Sequence, residues 1–330
     1  MTHQHPIVLI LVSLLALAVG VPVGAQPPSY TEIEGWPDPA TSAAGTRAAW
    51  NFGQVSGVAT SANGYIFVLH RGAQPIMMFD SGGRFVRAWG DGLFSNGKVG
   101  AIPPDDRRPG QSGYTAVYGA AGCHACGAHA IRVDPSGNIW VVDAPGHVIY
   151  KMDPTGRVLM ELGSQGVSGV SRTTFNLPTD VAFGPSGEVY VSDGYGNARV
   201  VKYTADGHYL LEWGSRGTGP GKFGLPHNLA VDRAGQVYVT DRDNQRVQVF
   251  TADGEFVSEW SDIGGNSALF LTTGEKQQLW TGGTLRDLDG TAVATVPGGN
   301  GGHGMTVSDG DVFVAQLAGR VQKFAGPQTP

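Results

Sequence analysis

The sequence predicts an all-β chain folded as a six-bladed β-propeller. Three segments, at residues 128–163, 178–214 and 226–261, repeat one pattern. Each has a short apolar strand, a turn with glycine, an alternating strand such as VYVTD, a polar turn, a third strand such as RVQVF, and a fourth strand. A four-stranded unit that recurs at about fifty residues is typical of a propeller blade. The 51 glycines fit many tight turns between short strands.

Three degenerate copies of the unit complete the ring, at residues 56–90, 267–297 and 303–324. The last copy stops after three strands, so we expect the segment near YTEIEGWPDP to supply the fourth strand and to close the ring. Closure removes exposed sheet edges, which favour aggregation. We therefore expect one domain over residues 26–330.

An insertion at about residues 91–127 separates the first two blades. It is rich in glycine and proline and has no strand periodicity, so we expect it to lack regular structure. Long loops of this kind are often functional.

The amino terminus is predicted to be a signal peptide, residues 1–25, because an apolar run ends in small residues with Val23 and Ala25 spaced as at a cleavage site. The alternative is an uncleaved membrane anchor. No later segment is long and apolar enough to span a bilayer, so we expect a secreted or periplasmic monomer without membrane contact after cleavage. The net charge of -6, with scattered Lys and Arg, argues against nucleic acid as a partner.

Histidine recurs at one position of the repeat. The residues two places before the first-strand core position are, in blade order, Ser56, His129, Thr179, His227, Ser267 and His303. Alternate blades of a six-bladed ring lie about 120° apart, so three imidazoles converge on the central channel. This arrangement predicts a metal site with an open position, zinc or another divalent ion.

The second strand of each blade runs back toward the same channel mouth. Arg71, Tyr195 and Arg242 follow these strands in three blades. A guanidinium group suits a carboxylate, and a phenol near cations is expected to lose its proton more readily than in water. The alternative is a structural role, because pairs such as Asn244 and Arg246 often hold blade turns.

With these residues assembled, the chain resembles two nested families. The blade pattern is similar to NHL-repeat propellers, over nearly all of the chain after the signal peptide. The motifs VLHRG, HAIRVD, PTDVAF, VSDGYGNARVVKY, LPHNLAVD and VTDRDNQRVQVF, with a final histidine, resemble peptidyl-α-hydroxyglycine α-amidating lyase. That family is a zinc propeller that splits a carboxy-terminal α-hydroxyglycine into a peptide amide and glyoxylate.

The resemblance implies that His129, His227 and His303 hold zinc, that Tyr195 acts as a phenolate base, and that Arg71 and Arg242 line the site of a peptide or small-molecule substrate. The chain also departs from the family pattern at three glycines. Gly301 and Gly304 stand where the family has Met and Asp, and Gly196 stands where it has a cysteine. The Asp helps to bind a structural calcium in the family, so calcium is uncertain here.

Cys123 and Cys126 are the only two cysteines. In an exported chain their spacing favours a disulfide within the insertion, with a reactive C-x-x-C pair or a metal pair with His124 as alternatives. Haem attachment is excluded, because Gly127 follows Cys126.

For the whole protein the alternatives are a non-catalytic NHL binding module and another propeller enzyme, such as a streptogramin-type lyase or a lactone hydrolase.

Overall fold

Strands of alternating or fully apolar residues, separated by glycine turns, form six four-stranded sheets arranged as a β-propeller. The computed structural model describes residues 29–41, 47–48, 50–107, 111–118, 124–261, 263, 268–298 and 301–327. The predicted signal peptide lies outside these residues. Within them, no helix has the length and apolarity needed to cross a membrane.

Each blade is an antiparallel sheet in which the strands follow one another from the channel outward. Blade one contains β4 (Val55–Thr60), β5 (Ile66–His70), β6 (Ile76–Phe79) and β7 (Phe85–Trp89). Blade two contains β10 (Ala128–Val133), β11 (Ile139–Asp143), β12 (Val148–Met152) and β13 (Val158–Gly163). Blade three contains β14 (Asp180–Phe183), β15 (Val189–Asp193), the short helix α1 (Gly194–Asn197), β16 (Arg199–Tyr203) and β17 (Tyr209–Trp213).

Blade four contains β18 (Pro226–Val231), β19 (Val237–Asp241), a 3-10 turn (Arg242–Asn244), β20 (Arg246–Phe250) and β21 (Phe256–Trp260). Blade five contains β22 (Leu269–Leu271), β23 (Gln278–Thr281), β24 (Thr284–Asp287) and β25 (Ala292–Thr295). Blade six contains β26 (Gly304–Ser308), β27 (Asp311–Gln316) and β28 (Arg320–Ala325), completed by β1 (Thr31–Ile33). A two-stranded ribbon of β2 (Ala40–Thr41) and β3 (Arg47–Ala48) follows β1.

The two ends of the chain close the ring, as the sequence predicts. Strand β1 pairs antiparallel with β28, with Thr31 opposite Ala325. Six apolar clusters lie between successive blades, and one of them joins Phe313 and Ala315 of blade six to Val58 and other residues of blade one. Each blade is therefore packed on both faces, and the channel histidines lie outside these apolar clusters.

The insertion between blades one and two contains regular structure, so the expectation of a loop without strands is wrong. Strand β8 (Lys98–Ala101) pairs with β9 (Tyr114–Val117), and a 3-10 turn (Pro104–Asp106) lies between them. The alternation in β9 is short, and glycines and prolines surround it, which hides the strand in the sequence. One face of this hairpin packs on the propeller.

Candidate metal centre and active site

The three histidines lie at the channel ends of the innermost strands of blades two, four and six. His129 is in β10, His227 is in β18, and His303 directly precedes β26, where its N–H donates to the carbonyl of Ala315 at 2.9 Å. In β10 and β18 the pairing with the next strand changes register around the histidine. Such a bulge redirects a side chain that simple alternation points elsewhere.

The imidazoles converge as the repeat alignment predicts. Their ligand nitrogens lie within 4.8 Å of one another. The ring centroids are 4.7 Å apart for His129 and His303, 5.0 Å for His129 and His227, and 5.1 Å for His227 and His303. Among the described residues this is the one group of three or more potential metal ligands.

Hydrogen bonds fix the same tautomer in all three rings. Each Nδ1 lies 2.7 Å from an oxygen: in His129 from the carbonyl of Thr179, in His303 from the carbonyl of Ser56, and in His227 from the side-chain amide oxygen of Asn228. A carbonyl oxygen only accepts, so Nδ1 carries the proton and Nε2 keeps its lone pair. Metal-binding histidines are oriented in this way by partners of the nitrogen that does not bind the metal.

The electrostatics of the channel also suit a cation. Burial lowers the pKa of His129 well below its usual value, and the neighbouring His303, His227 and Arg71 lower it further. Burial and Arg71 lower the pKa of His303 to about 4, although its bond to Ser56 opposes the change. These imidazoles are therefore neutral near pH 7, which is the form that binds a metal. Three converging Nε2 atoms fit zinc or a similar ion.

Tyr195 points its phenol at the same centre. It lies in α1, and its hydroxyl is 3.1 Å from Nε2 of His129 and 3.2 Å from Nε2 of His227. The preceding Gly194 allows this placement, because a Cβ there would collide with the carbonyl of Pro226 in the next blade. Residues 129, 195 and 227 are far apart in the sequence, and the blade geometry brings their side chains together.

The pKa of Tyr195 differs from the sequence-based interpretation. The two arginines were expected to lower it, but burial of the phenol raises the pKa above its usual value. Arg242 and Arg71 do oppose the change, and Tyr114 adds to it. The expectation was wrong because it counted the cations and omitted the cost of placing a phenolate in a buried site.

Both predicted arginines lie beside Tyr195. The Cζ of Arg242 is 5.5 Å from the centroid of the Tyr195 ring. Arg71 donates from Nε to the carbonyl of Ala128 at 3.2 Å and from Nη1 to Oε1 of Gln54 at 2.6 Å. The charge of Arg71 acts on both Tyr195 and the histidines. The structure therefore brings together all six side chains that the repeat alignment selected.

The insertion adds a residue that sequence reasoning missed. The Tyr114 ring meets the Tyr195 ring edge to face, with centroids 4.9 Å apart, and its hydroxyl accepts from Nη2 of Arg242 at 2.7 Å. Val99, Tyr114 and Ala116 pack on a buried cluster that contains Tyr195. The insertion was identified as a possible functional loop, but no repeat position marked Tyr114.

The alternative, structural role applies to other turn residues. Nδ2 of Asn244 donates to Oδ2 of Asp241 at 2.7 Å, and Nε of Arg246 donates to the same oxygen at 3.0 Å. Arg242 instead directs its guanidinium group toward Tyr114 and Asp243. The turn of blade four thus has one set of residues that holds the blade and one arginine that faces the channel mouth.

The three glycines that depart from the family pattern are closely surrounded. A Cβ at Gly196 would collide with Asn176, and one at Gly301 would meet the backbone of Gly282 and Gly283 within 3 Å. At Gly304 the nearest atom would be Cα of Gly57, at 3.2 Å. Positions 196 and 301 thus exclude a larger residue without local rearrangement.

The cysteine predictions stay open. Cys126 is buried at the start of blade two, but Cys123 lies outside the described residues, and the disulfide therefore stays a prediction. His124 is exposed. Cys126 and His124 do not belong to the three-histidine group.

Comparison with known proteins supports the resemblance drawn from the motifs. The family profile described as NHL repeat matches residues 175–203 and 223–250, in blades three and four. The chain is 35% identical over 205 residues to rat "Peptidylglycine alpha-amidating monooxygenase", a match covering 59% of this chain and 20% of the rat protein. It is 30% identical over 200 residues to "Probable peptidyl-alpha-hydroxyglycine alpha-amidating lyase pgal-1" of Caenorhabditis elegans, covering 59% of this chain and 54% of that protein.

These matches span less than two thirds of either relative's length. A solved structure titled "Streptogramin B lyase structure" superposes with a TM-score of 0.52 and 16% identity, covering 86% of each chain. At that identity it shows the propeller fold alone. The chain therefore contains NHL repeats, folds as a six-bladed propeller, and is similar in sequence to proteins named as amidating lyases.

Proposed function

We propose that the protein is a zinc-dependent lyase that cleaves a carboxy-terminal α-hydroxyglycine, or a related α-hydroxy-amide, into an amide and glyoxylate. The observation that carries this proposal is the position of the Tyr195 hydroxyl, within 3.2 Å of Nε2 of both His129 and His227. A proton-transferring group thus stands beside a triad suited to a metal. The names of the relatives support the same reaction class.

The metal would be held by Nε2 of His129, His227 and His303, whose Nδ1 atoms are all engaged by oxygens. When bound, zinc supplies a Lewis acid that lowers the pKa of a substrate hydroxyl. The Tyr195 hydroxyl lies within 3.2 Å of Nε2 of His129 and His227, so a substrate hydroxyl bound at this centre would be within reach of the phenol.

The substrate carries a carboxylate beside the reacting carbon, and Arg71 and Arg242 would bind it. Both guanidinium groups are half-buried, so a charge-assisted hydrogen bond is less screened there than at an exposed surface. A cleft of about 590 Å³ is lined by Ser112 and Tyr114 of the insertion and by Gly196, the residue after Tyr195. It provides room for the part of a peptide that precedes the reacting residue.

The reaction needs no added oxidant and no added water. Tyr195 would take the proton of the substrate hydroxyl, and the C–O bond would become the aldehyde C=O of glyoxylate. The C–N bond would break in the same process, and its electron pair would remain on nitrogen, which takes up a proton to give the amide. Because burial raises the pKa of Tyr195, the two arginines are required to favour the phenolate that starts the transfer.

The test is glyoxylate release from a hydroxyglycine-extended peptide by the zinc-loaded protein. Tyr195→Phe keeps the ring and removes the hydroxyl, so we expect kcat to fall about a hundredfold or more, with zinc content unchanged. A variant with parental kcat would exclude Tyr195 as the proton-transferring group. A zinc-loaded parent without activity on any α-hydroxyglycine substrate would overturn the lyase proposal and favour a binding module.

Export, a monomeric state and a small-molecule or peptide partner belong to the same proposal. The apolar amino-terminal run supports export, and the closure of the ring by β1 and β28 supports a monomer.

A further inference from the structure

The three histidines are oriented by two different kinds of oxygen. His129 and His303 donate from Nδ1 to backbone carbonyls, those of Thr179 and Ser56. Both carbonyls belong to the repeat position equivalent to the histidines, on the blade that follows in the ring. Substitution of a side chain leaves such an acceptor in place.

His227 is engaged by a side chain. Its Nδ1 lies 2.7 Å from Oδ1 of Asn228, the next residue in β18. The equivalent position on the following blade is Ser267, which lies outside the described residues. The Asn228 amide is thus a partner of His227 that a substitution can remove.

Asn228 is itself fixed in one orientation. It is 3% exposed, and its Nδ2 donates to Oδ2 of Asp180 at 2.7 Å, which directs its Oδ1 toward His227. The backbone N–H of Asn228 donates to Oγ1 of Thr240 at 2.8 Å. Because both ends of the amide are engaged, its oxygen and nitrogen are not interchangeable.

Asp180 is held in turn by Arg132. Nε and Nη2 of Arg132 donate to the two carboxylate oxygens at 3.0 and 2.5 Å, and Nη2 also donates to the carbonyl of Leu269 at 3.1 Å. The side chain of Asp180 is fully buried. The residues from Arg132 through Asp180 and Asn228 to Leu269 belong to four successive blades.

A buried ion pair of this kind contributes little net stability, because the cost of removing two charges from water offsets their attraction. The pair does, however, fix geometry. We propose that Arg132, Asp180 and Asn228 form a positioning relay that holds His227 with Nδ1 protonated and Nε2 directed at the other two imidazoles. This inference rests on the metal site of the proposed function and assigns residues that neither the repeat alignment nor the similarity to amidating lyases selects.

The test measures zinc affinity of the metal-free protein by competition with a chromophoric chelator. Asn228→Ala removes the acceptor, and we expect zinc affinity to fall about ten- to a hundredfold, the range seen for partners of metal-binding histidines. Asn138→Ala is the matched control, because Asn138 also donates from Nδ2 to a carboxylate, that of Asp134, but does not contact the triad. Its zinc affinity should equal that of the parent.

A second pair of variants keeps the inference testable if Asn228→Ala folds poorly. Asp180→Asn should weaken zinc binding, and the exchange Asp180→Asn with Asn228→Asp should restore much of the loss, because it returns a carboxylate and an amide to the relay. Parental zinc affinity in both Asn228→Ala and Asp180→Asn would overturn the relay. Zinc affinity is measured without substrate, so failure of the lyase proposal leaves this result unaffected.

Discussion

Two regions meet at the channel mouth, and the chain specifies them in different ways. The histidine triad comes from one position of a repeated strand, at residues 129, 227 and 303. The hairpin β8–β9 comes from a single insertion and places Tyr114 against Tyr195. The histidine position recurs in three blades, whereas the hairpin occurs once in the chain.

This difference has a physical consequence. The triad is attached to strands whose packing is shared between blades, so its geometry follows from the ring. The hairpin contacts the propeller through a small cluster of Val99, Tyr114 and Ala116 on Leu177, Tyr195 and Leu225. We therefore expect metal binding to depend on the repeat and substrate turnover to depend on both regions.

The largest expected effect is loss of the metal when a repeat-encoded ligand is removed. His227→Ala deletes one of three nitrogen donors, so zinc affinity should fall by more than about a hundredfold, beyond the loss typical of a supporting partner. Elemental analysis and the zinc-dependent rise in Tm measure this, since a ligand that binds only the folded state raises Tm.

His208→Ala is the control for that experiment, because His208 is exposed and pairs only with Asp206 among its described ion-pair partners. It should retain parental zinc content. The metal-free His227→Ala protein should still fold as a propeller, because the six inter-blade clusters do not include the histidines. Equal zinc content in parent and His227→Ala would place the metal elsewhere.

A smaller effect is expected from the insertion-encoded region. Tyr114→Phe removes the hydroxyl that accepts from Arg242 at 2.7 Å, so Arg242 should be held less firmly beside Tyr195. Loss of a hydrogen bond to a charged group predicts a fall in kcat/KM of about tenfold. Zinc affinity should not change, which separates the two regions.

Tyr118→Phe is the matched variant. Tyr118 lies in the same insertion and its hydroxyl donates to the carbonyl of Pro145 at 2.5 Å, away from Arg242. Steady-state glyoxylate assays should give near-parental kcat/KM for it. If both variants lose activity equally, Tyr114 acts only by holding the insertion in place, and its specific role with Arg242 is excluded.

The repeat made the fold and most of the site predictable. Alignment of the blades placed His129, His227 and His303 at one repeat position. The antiparallel return of each second strand brought Tyr195 and Arg242 to the same mouth of the central channel. The pairing of the last blade with the amino-terminal segment followed from its missing strand.

The features that the sequence did not predict do not follow from the repeat. Strand β9 occurs once, so neither its register nor the contact of Tyr114 with Tyr195 has a sequence signal. The pKa of Tyr195 depends on burial, which neighbouring arginines in the sequence do not report. Nothing in the sequence marks Asn228 as a relay residue, and only its contacts with His227 and Asp180 distinguish it.

The smallest effect is expected where the two regions join. Cys126 is buried beside the start of β10, three residues before His129, yet it supplies no atom to the three-nitrogen group. If Cys123 and Cys126 form a disulfide, it closes a loop of only a few residues, and short loops gain little stability from a cross-link. We expect Cys126→Ser to retain parental zinc content and kcat, with at most a small decrease in Tm.

Mass spectrometry of the alkylated, unreduced parent should find both thiols blocked by oxidation, and a fully alkylated pair would refute the disulfide. Loss of zinc in Cys126→Ser would instead show that the insertion supports the triad, and the separation between the two regions would fail.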